Sequence, residues 1–341
     1  MSKSDEKEQP QPEECCSRRE FIRRAGMAGA ATAAALAFGF GLHRRESGGL
    51  VAPMSLPDFS ARPEPNRPRV AAIRADNIEQ ALRALLDRLG GIERFVSPGD
   101  VVLLKPNAGF ATPPSVGATT NPAVVEAVAR ICLAAGAAEV RVAENSINDP
   151  ERCMDISGIA AAARAAGARV FLPRPSAFQD VETPECAVLK RWSFFYEPFR
   201  GATRVIGLPA AKHHSLAGAT LGMKNWYGLL GGRRNQLHQD INTSIADLAT
   251  MVRPTLTILD ATRVLIRNGP TGGSLSDVRH DGILAAAVDP VALDTYGASL
   301  LGRTPEELPF LVEAQRRGLG TSDLKEAGFE MIGGAKTGGT A

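Results

Sequence analysis

The segment 212–225 concentrates residue types that can do chemistry: Lys212 and Lys224 lie near its two ends, and His213 and His214 are adjacent. A lysine ammonium is a compact positive charge. Histidine transfers protons near neutral pH or binds a metal. Glycines within the segment allow backbone amides to approach a ligand closely. We therefore predict a site for a carboxylate or phosphate here, with Lys212, His214 and the later His238 as catalytic candidates.

Other polar residues follow apolar runs of the kind that form buried strands. Lys105 and Asn107 come directly after the run 101–104, and Asp260 comes after the run 255–259. In an open parallel sheet, ligands bind outside the carboxyl ends of the strands. The predicted ligand-binding residues are Lys105, Asn107, Thr120, Lys224, Asn225 and Asp260. The alternative is that the lysines are solvated and the histidines only cap or fill loops.

The elements that must position these residues alternate between strands and helices. Asn77 precedes a helical pattern with apolar residues three and four apart. Asn121-Pro122 and Asp289-Pro290 each place a capping residue before a proline at the first helical position. Repeated strand–helix units predict an α/β fold: a mainly parallel sheet with helices on both faces, in a single domain. Residues 173–200 fit this pattern poorly and predict a small antiparallel insertion.

The N-terminal region carries an export signal. Arg18-Arg19 is followed by Phe21-Ile22-Arg23 and then by an uncharged, Ala- and Gly-rich stretch over 25–42. This pattern is typical of the twin-arginine route, which exports folded proteins. We predict a periplasmic protein with the twin-arginine translocase as a partner. Cleavage near 35–37 and an uncleaved membrane tether both stay open.

Changes in composition along the chain indicate the boundaries of its segments. We assign residues 1–45 to the signal, 46–68 to a proline-rich linker, 69–334 to the α/β domain and 335–341 to a flexible tail. The chain has 39 basic and 37 acidic residues, and no basic block interrupts this balance. Nucleic acid is therefore not an expected partner.

The five cysteines give little support to a metal centre. They stand at 15, 16, 132, 153 and 186, and no C-x-x-C pair occurs. Because the predicted destination is oxidising, one disulfide among the three domain cysteines is the stronger expectation.

Short motifs in a fixed order link the chain to a known family. They are Lys105-Pro106-Asn107, Thr119-Thr120-Asn121-Pro122, Lys212-His213-His214-Ser215-Leu216, Met223-Lys224-Asn225-Trp226-Tyr227-Gly228, Asp260 with Gly269-Pro270-Thr271-Gly272-Gly273, and Asp289-Pro290-Val291-Ala292-Leu293-Asp294. The chain resembles the domain of unknown function 362 family over about residues 70–334. The resemblance implies a lysine–histidine pair at Lys212 and His214, with His213 at a more variable position.

The resemblance carries no activity with it. Some relatives have an added ferredoxin-like run of cysteines that this chain lacks, so an iron–sulfur label does not transfer. The sequence identifies neither a cofactor nor a metal. Three hypotheses follow: an enzyme acting on a small anion, a binding or accessory protein without catalysis, and a metal or electron-transfer protein with ligands among His214, His238, Asp260 and Asp289. The enzyme is the favoured interpretation.

Overall fold

The computed structural model describes residues 54–333 together with Arg19. The rest of the predicted signal, the linker up to residue 53 and the tail from residue 334 lie outside the described residues. Within 54–333, no helix has the length and apolar character needed to cross a bilayer.

The strands alternate with helices as the sequence predicts. The strands are β1 (Val70–Arg74), β2 (Val101–Pro106), β3 (Glu139–Ala143), β4 (Arg169–Phe171), β5 (Phe178–Glu182), β6 (Arg191–Phe195), β7 (Arg204–Leu208), β8 (Ala210–His214), β9 (Gly218–Thr220), β10 (Leu256–Leu265), β11 (Val278–Arg279), β12 (Ile283–Ala287) and β13 (Glu330–Ile332). The helices are α1 (Ile78–Arg88), α2 (Pro122–Ala134), α3 (Pro150–Ile156), α4 (Ile159–Ala165), α5 (Gly222–Asn225), α6 (Ile241–Met251), α7 (Pro290–Leu300) and α8 (Pro309–Arg316).

One large sheet organises the domain. Its strand order is β13-β1-β12-β10-β7-β2-β3-β4, with β8, β9 and β11 attached near β10. The run β10-β7-β2-β3-β4 is parallel, whereas β12 lies antiparallel between β1 and β10. The sheet is therefore mixed but mostly parallel, which confirms the predicted α/β class.

Both faces of this sheet are covered, and alternate residues of its strands therefore enter different hydrophobic cores. Val102 and Leu104 of β2 pack in a core with the apolar faces of α1, α2 and α4. Leu103 points into another core, which it shares with Trp226 and residues of the β5–β6 hairpin. A further core lies between β1, β10 and β12 and helices α6, α7 and α8. Covered on both faces, these strands are apolar throughout rather than alternating.

Helix starts follow the predicted capping residues. Asn77 accepts a hydrogen bond from the Gln80 backbone N–H at 3.0 Å. Asp289 accepts from the first turn of α7, which starts with Pro290. A side-chain acceptor satisfies backbone N–H groups that have no partner within the helix. Proline is tolerated at the first helical position because it has no N–H group that would need a partner there.

The predicted insertion is a two-stranded antiparallel sheet. β5 pairs with β6 in the register Phe178 to Phe195 and Glu182 to Arg191. Phe194 and Phe195 are fully buried in the core beside Trp226. The hairpin therefore covers the face of the sheet that carries Leu103.

Residues 54–68, assigned to the linker from sequence, lie against the domain. Met54 bridges to Val181, and the Phe59 backbone N–H donates to the Arg253 carbonyl at 3.1 Å. The Phe59 ring is 7% exposed and packs against Phe199, with 6.2 Å between ring centroids. This part of the chain thus contributes an aromatic side chain to the domain core.

Cys132, Cys153 and Cys186 are buried free thiols. The expectation of a disulfide among them is therefore wrong. Burial raises the pKa of the Cys132 thiol to about 12, which leaves it protonated and unreactive.

Candidate active site

A cavity of about 240 Å³ opens at the carboxyl ends of β2 and β3. Segments after β2 and β3, strands β8 and β9, helix α5 and the segment 227–238 enclose it. Its lining includes the predicted residues Asn107, Lys212, His214, Lys224, Asn225 and His238. Phe110, Ile147, Tyr227 and Pro270 supply apolar surface. The structure thus brings together most of the residues selected from sequence, in the way that strand ends in an α/β sheet converge.

Two asparagines orient the lysines at the base of the cavity. The Asn225 Oδ1 accepts from Lys105 Nζ at 3.0 Å and from Asn107 Nδ2 at 3.1 Å. Asn107 Oδ1 in turn accepts from Lys212 Nζ at 3.1 Å. Thr120 lies behind them, since its hydroxyl accepts from the Asn107 backbone N–H at 2.7 Å and donates to the Leu208 carbonyl. Thr120 therefore positions Asn107 and is not part of the lining.

Lys105 lies under the cavity rather than in its wall. It forms an ion pair with Glu144, and both side chains are almost completely buried. Burial lowers the pKa of Lys105 and raises that of Glu144, and the attraction between the two charges opposes both shifts. A Cβ on Gly228 would come 1.9 Å from Glu144 Oε1, so a glycine is needed where the chain passes this pair.

Three cations near the cavity have no acidic partner within ion-pair distance in the described part of the chain: Lys212, Lys224 and Arg234. Arg234 donates to the carbonyls of Asn145, Ser146 and Leu230. Glu144, which also lines the cavity, is already engaged by Lys105. The cavity wall therefore has an excess of positive charge.

Lys224 is the least compensated of these cations. It is 8% exposed, and no side chain or carbonyl among residues 54–333 hydrogen-bonds to its ammonium. The Tyr227 ring, whose centroid lies 5.3 Å from Nζ, gives it a favourable cation–π contact. Burial, with a smaller effect from Lys105, lowers the pKa of Lys224 to about 8. An ammonium held in this way is unfavourable until an anion approaches it.

Lys212 is 1% exposed and donates to Asn107 Oδ1 and to the Ala118 carbonyl. The Phe110 ring lies 5.1 Å from its Nζ. Burial, followed by repulsion from Lys224, lowers the pKa of Lys212 to about 7. Near neutral pH this side chain therefore exists in both the charged and the neutral form. Lys212 lies within β8, which starts right after Pro209 and pairs with β10 and β9.

His214 is held as a neutral ring of defined tautomer. Its Nδ1 accepts from the backbone N–H groups of Leu216 and Ala217, both at 3.1 Å. Because Nδ1 is an acceptor, the ring proton lies on Nε2. Burial and the positive charges of Lys224 and Lys212 lower the pKa of His214 to about 3. His214 therefore offers a hydrogen-bond donor to the cavity and is poorly suited to take up a proton, a role the sequence left open to it.

His238 has the opposite arrangement. Its Nδ1 lies 3.2 Å from the Asn235 carbonyl, which can only accept, so Nδ1 carries the proton. In the neutral ring, Nε2 is then a hydrogen-bond acceptor. The ring is half-buried, 6.4 Å from the ring of His214 between centroids and 5.5 Å from that of Tyr227. Of the two histidines, His238 is the one that can act as a base.

Asp260 lies away from this cavity. It sits inside β10, and its carboxylate accepts from the Asn121 backbone N–H at 2.7 Å and from Thr262. It therefore fixes the start of α2. Asp289 caps α7, as described above. Among residues 54–333, no three His, Cys, Asp or Glu side chains form a group that could hold a metal. The proposed ligand set of His214, His238, Asp260 and Asp289 therefore does not assemble.

Several site residues were not selected from sequence. Glu144 and Arg234 line the cavity, but a single carboxylate after a strand and an arginine in a loop give no distinctive spacing. Asp294 is fully buried and accepts from the backbone N–H groups of Gly222 and Met223, so it holds the start of α5, which carries Lys224. Asp294 could have been selected from sequence because it is the last residue of the family motif 289–294.

Comparison with known proteins supports the family resemblance. The sequence model for a domain of unknown function, DUF362, matches residues 102–299. The thylakoid-associated protein sll1697 of Synechocystis sp. is 29% identical over 260 residues, which cover 74% of this chain and 78% of that protein. No solved structure matches the chain. The matched segment contains the whole set of cavity lysines and histidines. Because the family model covers more than half of the sequence, the chain belongs to the domain of unknown function 362 family.

Proposed function

We propose that this protein is an enzyme that binds a small anionic molecule, a carboxylate or a phosphate, in the cavity between β2, β8 and α5. The proposal depends on one observation: the nearly buried ammonium of Lys224 lines the cavity and has no acidic partner among residues 54–333. Lys212 and Arg234 add to the positive charge of the same wall. A bound anion would neutralise charges that are otherwise costly to bury together.

The size and lining of the cavity favour a small organic anion. A volume of about 240 Å³ is below the range usual for drug-sized ligands. Phe110 and Ile147 provide apolar surface for a short carbon skeleton beside the polar groups of the lining. The best match is a compact carboxylate with a further oxygen function.

The histidines supply the reason to propose catalysis. His214 presents Nε2–H and His238 presents an unprotonated Nε2 to one cavity, so a donor and a base are available together. In a reaction that moves a proton on the ligand, His238 would accept it while His214 donates to the oxygen where negative charge develops. The second candidate function is an exported binding or accessory protein that binds the anion in the same cavity without catalysing a reaction.

We also propose export by the twin-arginine route, on the strength of the sequence Arg18-Arg19 with Phe21-Ile22-Arg23. Such a route would place the cavity in the periplasm. The metal and electron-transfer hypothesis is less favoured, since no ligand cluster occurs within residues 54–333.

Native mass spectrometry with elemental analysis, on protein purified from its own host, tests these functions against one another. The proposal predicts a retained organic anion that is released by acid. A stoichiometric transition metal would support the metal hypothesis and contradict ours. Protein that retains neither, and that binds no carboxylate or phosphate added at millimolar concentration, would also contradict it.

A further inference from the structure

We propose that Lys212 forms an imine with the carbonyl carbon of a 2-oxo acid whose carboxylate is bound by Lys224. This inference rests on the proposed anion site and specifies its substrate class. It follows from how the Lys212 nitrogen is held and from what surrounds it.

The hydrogen bonds of Lys212 leave one direction free. Asn107 Oδ1 and the Ala118 carbonyl are both acceptors and occupy two of its N–H groups. A neutral amine has two N–H groups and one lone pair, so these two bonds account for both hydrogens. The lone pair is then directed away from both acceptors. Since Lys212 also lines the cavity, a carbonyl carbon placed there can meet it.

The surroundings favour the neutral, nucleophilic amine. Within residues 54–333, no carboxylate forms an ion pair with Lys212, and the nearby Glu144 is engaged by Lys105. The neighbouring Lys224 and the burial of the side chain lower the pKa of Lys212 to about 7. Burial and a second cation are the two means by which enzymes activate a lysine as a nucleophile. At pH 7 the neutral fraction is roughly a thousandfold larger than for an ordinary exposed lysine.

The reaction balances with groups present in the cavity. The Lys212 nitrogen forms a C–N bond to the carbonyl carbon as the C=O π electrons move to oxygen. One proton then moves from nitrogen to that oxygen to give a carbinolamine, and the second nitrogen proton leaves with the hydroxyl group as water, so that a neutral C=N bond remains. His238 Nε2 can relay these protons, and His214 Nε2–H can donate a hydrogen bond to the same oxygen.

The arrangement also explains why two lysines are needed. Lys224 has no acidic or hydrogen-bonding partner among residues 54–333 and provides a charge for the carboxylate. Lys212 has two partners that orient it and so provides a directed nitrogen. A 2-oxo acid is the smallest ligand that engages both groups, because its carboxylate and carbonyl carbons are bonded to each other.

The test is reductive trapping of the full-length protein with glyoxylate and cyanoborohydride at pH 7, followed by peptide mapping. We expect a carboxymethyl group on Lys212 well before the exposed Lys190 and Lys325 are modified. Oxalate, which has two carboxylates and no reactive carbonyl, should protect Lys212. Acetaldehyde, which has no carboxylate, should show no preference for Lys212. The variant Lys212→Arg should remain unlabelled inside the cavity, while the surface control Lys325→Arg should still be labelled at Lys212.

The outcomes separate this inference from the proposed function. Labelling confined to surface lysines, while oxalate still stabilises the protein against heat, would overturn the imine and leave the anion site standing. Absence of labelling, together with absence of stabilisation by any small carboxylate or phosphate, would overturn both the imine and the anion site. Should Lys212→Arg fold poorly, Lys212→Gln and the protection by oxalate in the unaltered protein give the same decision.

Discussion

His214 and His238 both line the cavity, with ring centroids 6.4 Å apart and opposite proton arrangements. His214 Nδ1 accepts two backbone N–H groups, whereas His238 Nδ1 donates to a carbonyl. The backbone around each ring therefore decides which nitrogen is free. In the neutral rings, His214 therefore presents a donor to a ligand and His238 presents an acceptor.

The first prediction concerns these tautomers. Nitrogen-15 spectra of histidine-labelled protein at pH 7 should show His214 protonated on Nε2 and His238 protonated on Nδ1, because each Nδ1 has a fixed partner. The variants His214→Asn and His238→Asn assign the signals. Asparagine is the matched choice at 214, since its Oδ1 can replace Nδ1 as the acceptor for Leu216 and Ala217. The opposite tautomer at either ring would contradict the assigned roles.

The second prediction concerns stability against pH. The pKa of His214 in the folded protein is lowered from 6.5 to about 3. Below about pH 6.5 the unfolded chain takes up a proton at this ring while the folded protein does not, so folding stability contributed by this group is lost as the pH falls toward 3. In urea denaturation between pH 4 and 7, His214→Asn should flatten this dependence. An unchanged slope would mean that His214 titrates normally.

Much of this site follows from sequence, and the exceptions have physical causes. Lys105 and Asn107 were predicted correctly at the end of a strand because β2 is a continuous apolar run that stops there. Asp260 was placed at a strand end, but β10 continues to Leu265 because it also pairs with β8 and β11, so its carboxylate meets Asn121 instead. The tautomers depend on backbone groups brought near by turns, which a pattern of residue types does not reveal.

The third prediction concerns the buried pair of Lys105 and Glu144. Glu144→Gln removes the carboxylate that pairs with the buried Lys105, so we expect a loss of about 3–5 kcal/mol in the free energy of unfolding. The control is Glu126→Gln, which breaks the exposed ion pair with Arg130 and should cost no more than about 1 kcal/mol. Chemical denaturation of the two variants makes the comparison. Equal losses would show that the Lys105–Glu144 pair is solvated.

The fourth prediction tests export. Replacement of Arg18 and Arg19 by lysine should leave folded protein in the cytoplasm, because lysine lacks the planar guanidinium that the receptor recognises. The control replaces Arg44 and Arg45, which follow the apolar stretch, and should be exported normally. Cell fractionation with immunoblotting measures both. Normal export of the Arg18 and Arg19 variant would remove the localisation proposal.

The fifth prediction concerns the anion itself and uses Lys224→Met. This lysine has no hydrogen-bond partner among the described residues, so its removal leaves no protein group unsatisfied. The variant without ligand should be as stable as the unaltered protein or more so, since one of several like charges is gone. Lys212→Met is a poorer choice, because it would leave Asn107 Oδ1 and the Ala118 carbonyl without their donor.

The most direct test is a thermal-shift comparison of the unaltered protein, Lys224→Met and the surface control Lys325→Met against small carboxylates and phosphates at constant ionic strength. The account predicts that at least one anion stabilises the unaltered protein and the control, by about 2.7 kcal/mol at a hundredfold excess over the dissociation constant. Lys224→Met should lose this stabilisation. If no anion stabilises the unaltered protein, or if Lys224→Met is stabilised to the same extent, the cavity is not an anion site and the central claim is wrong.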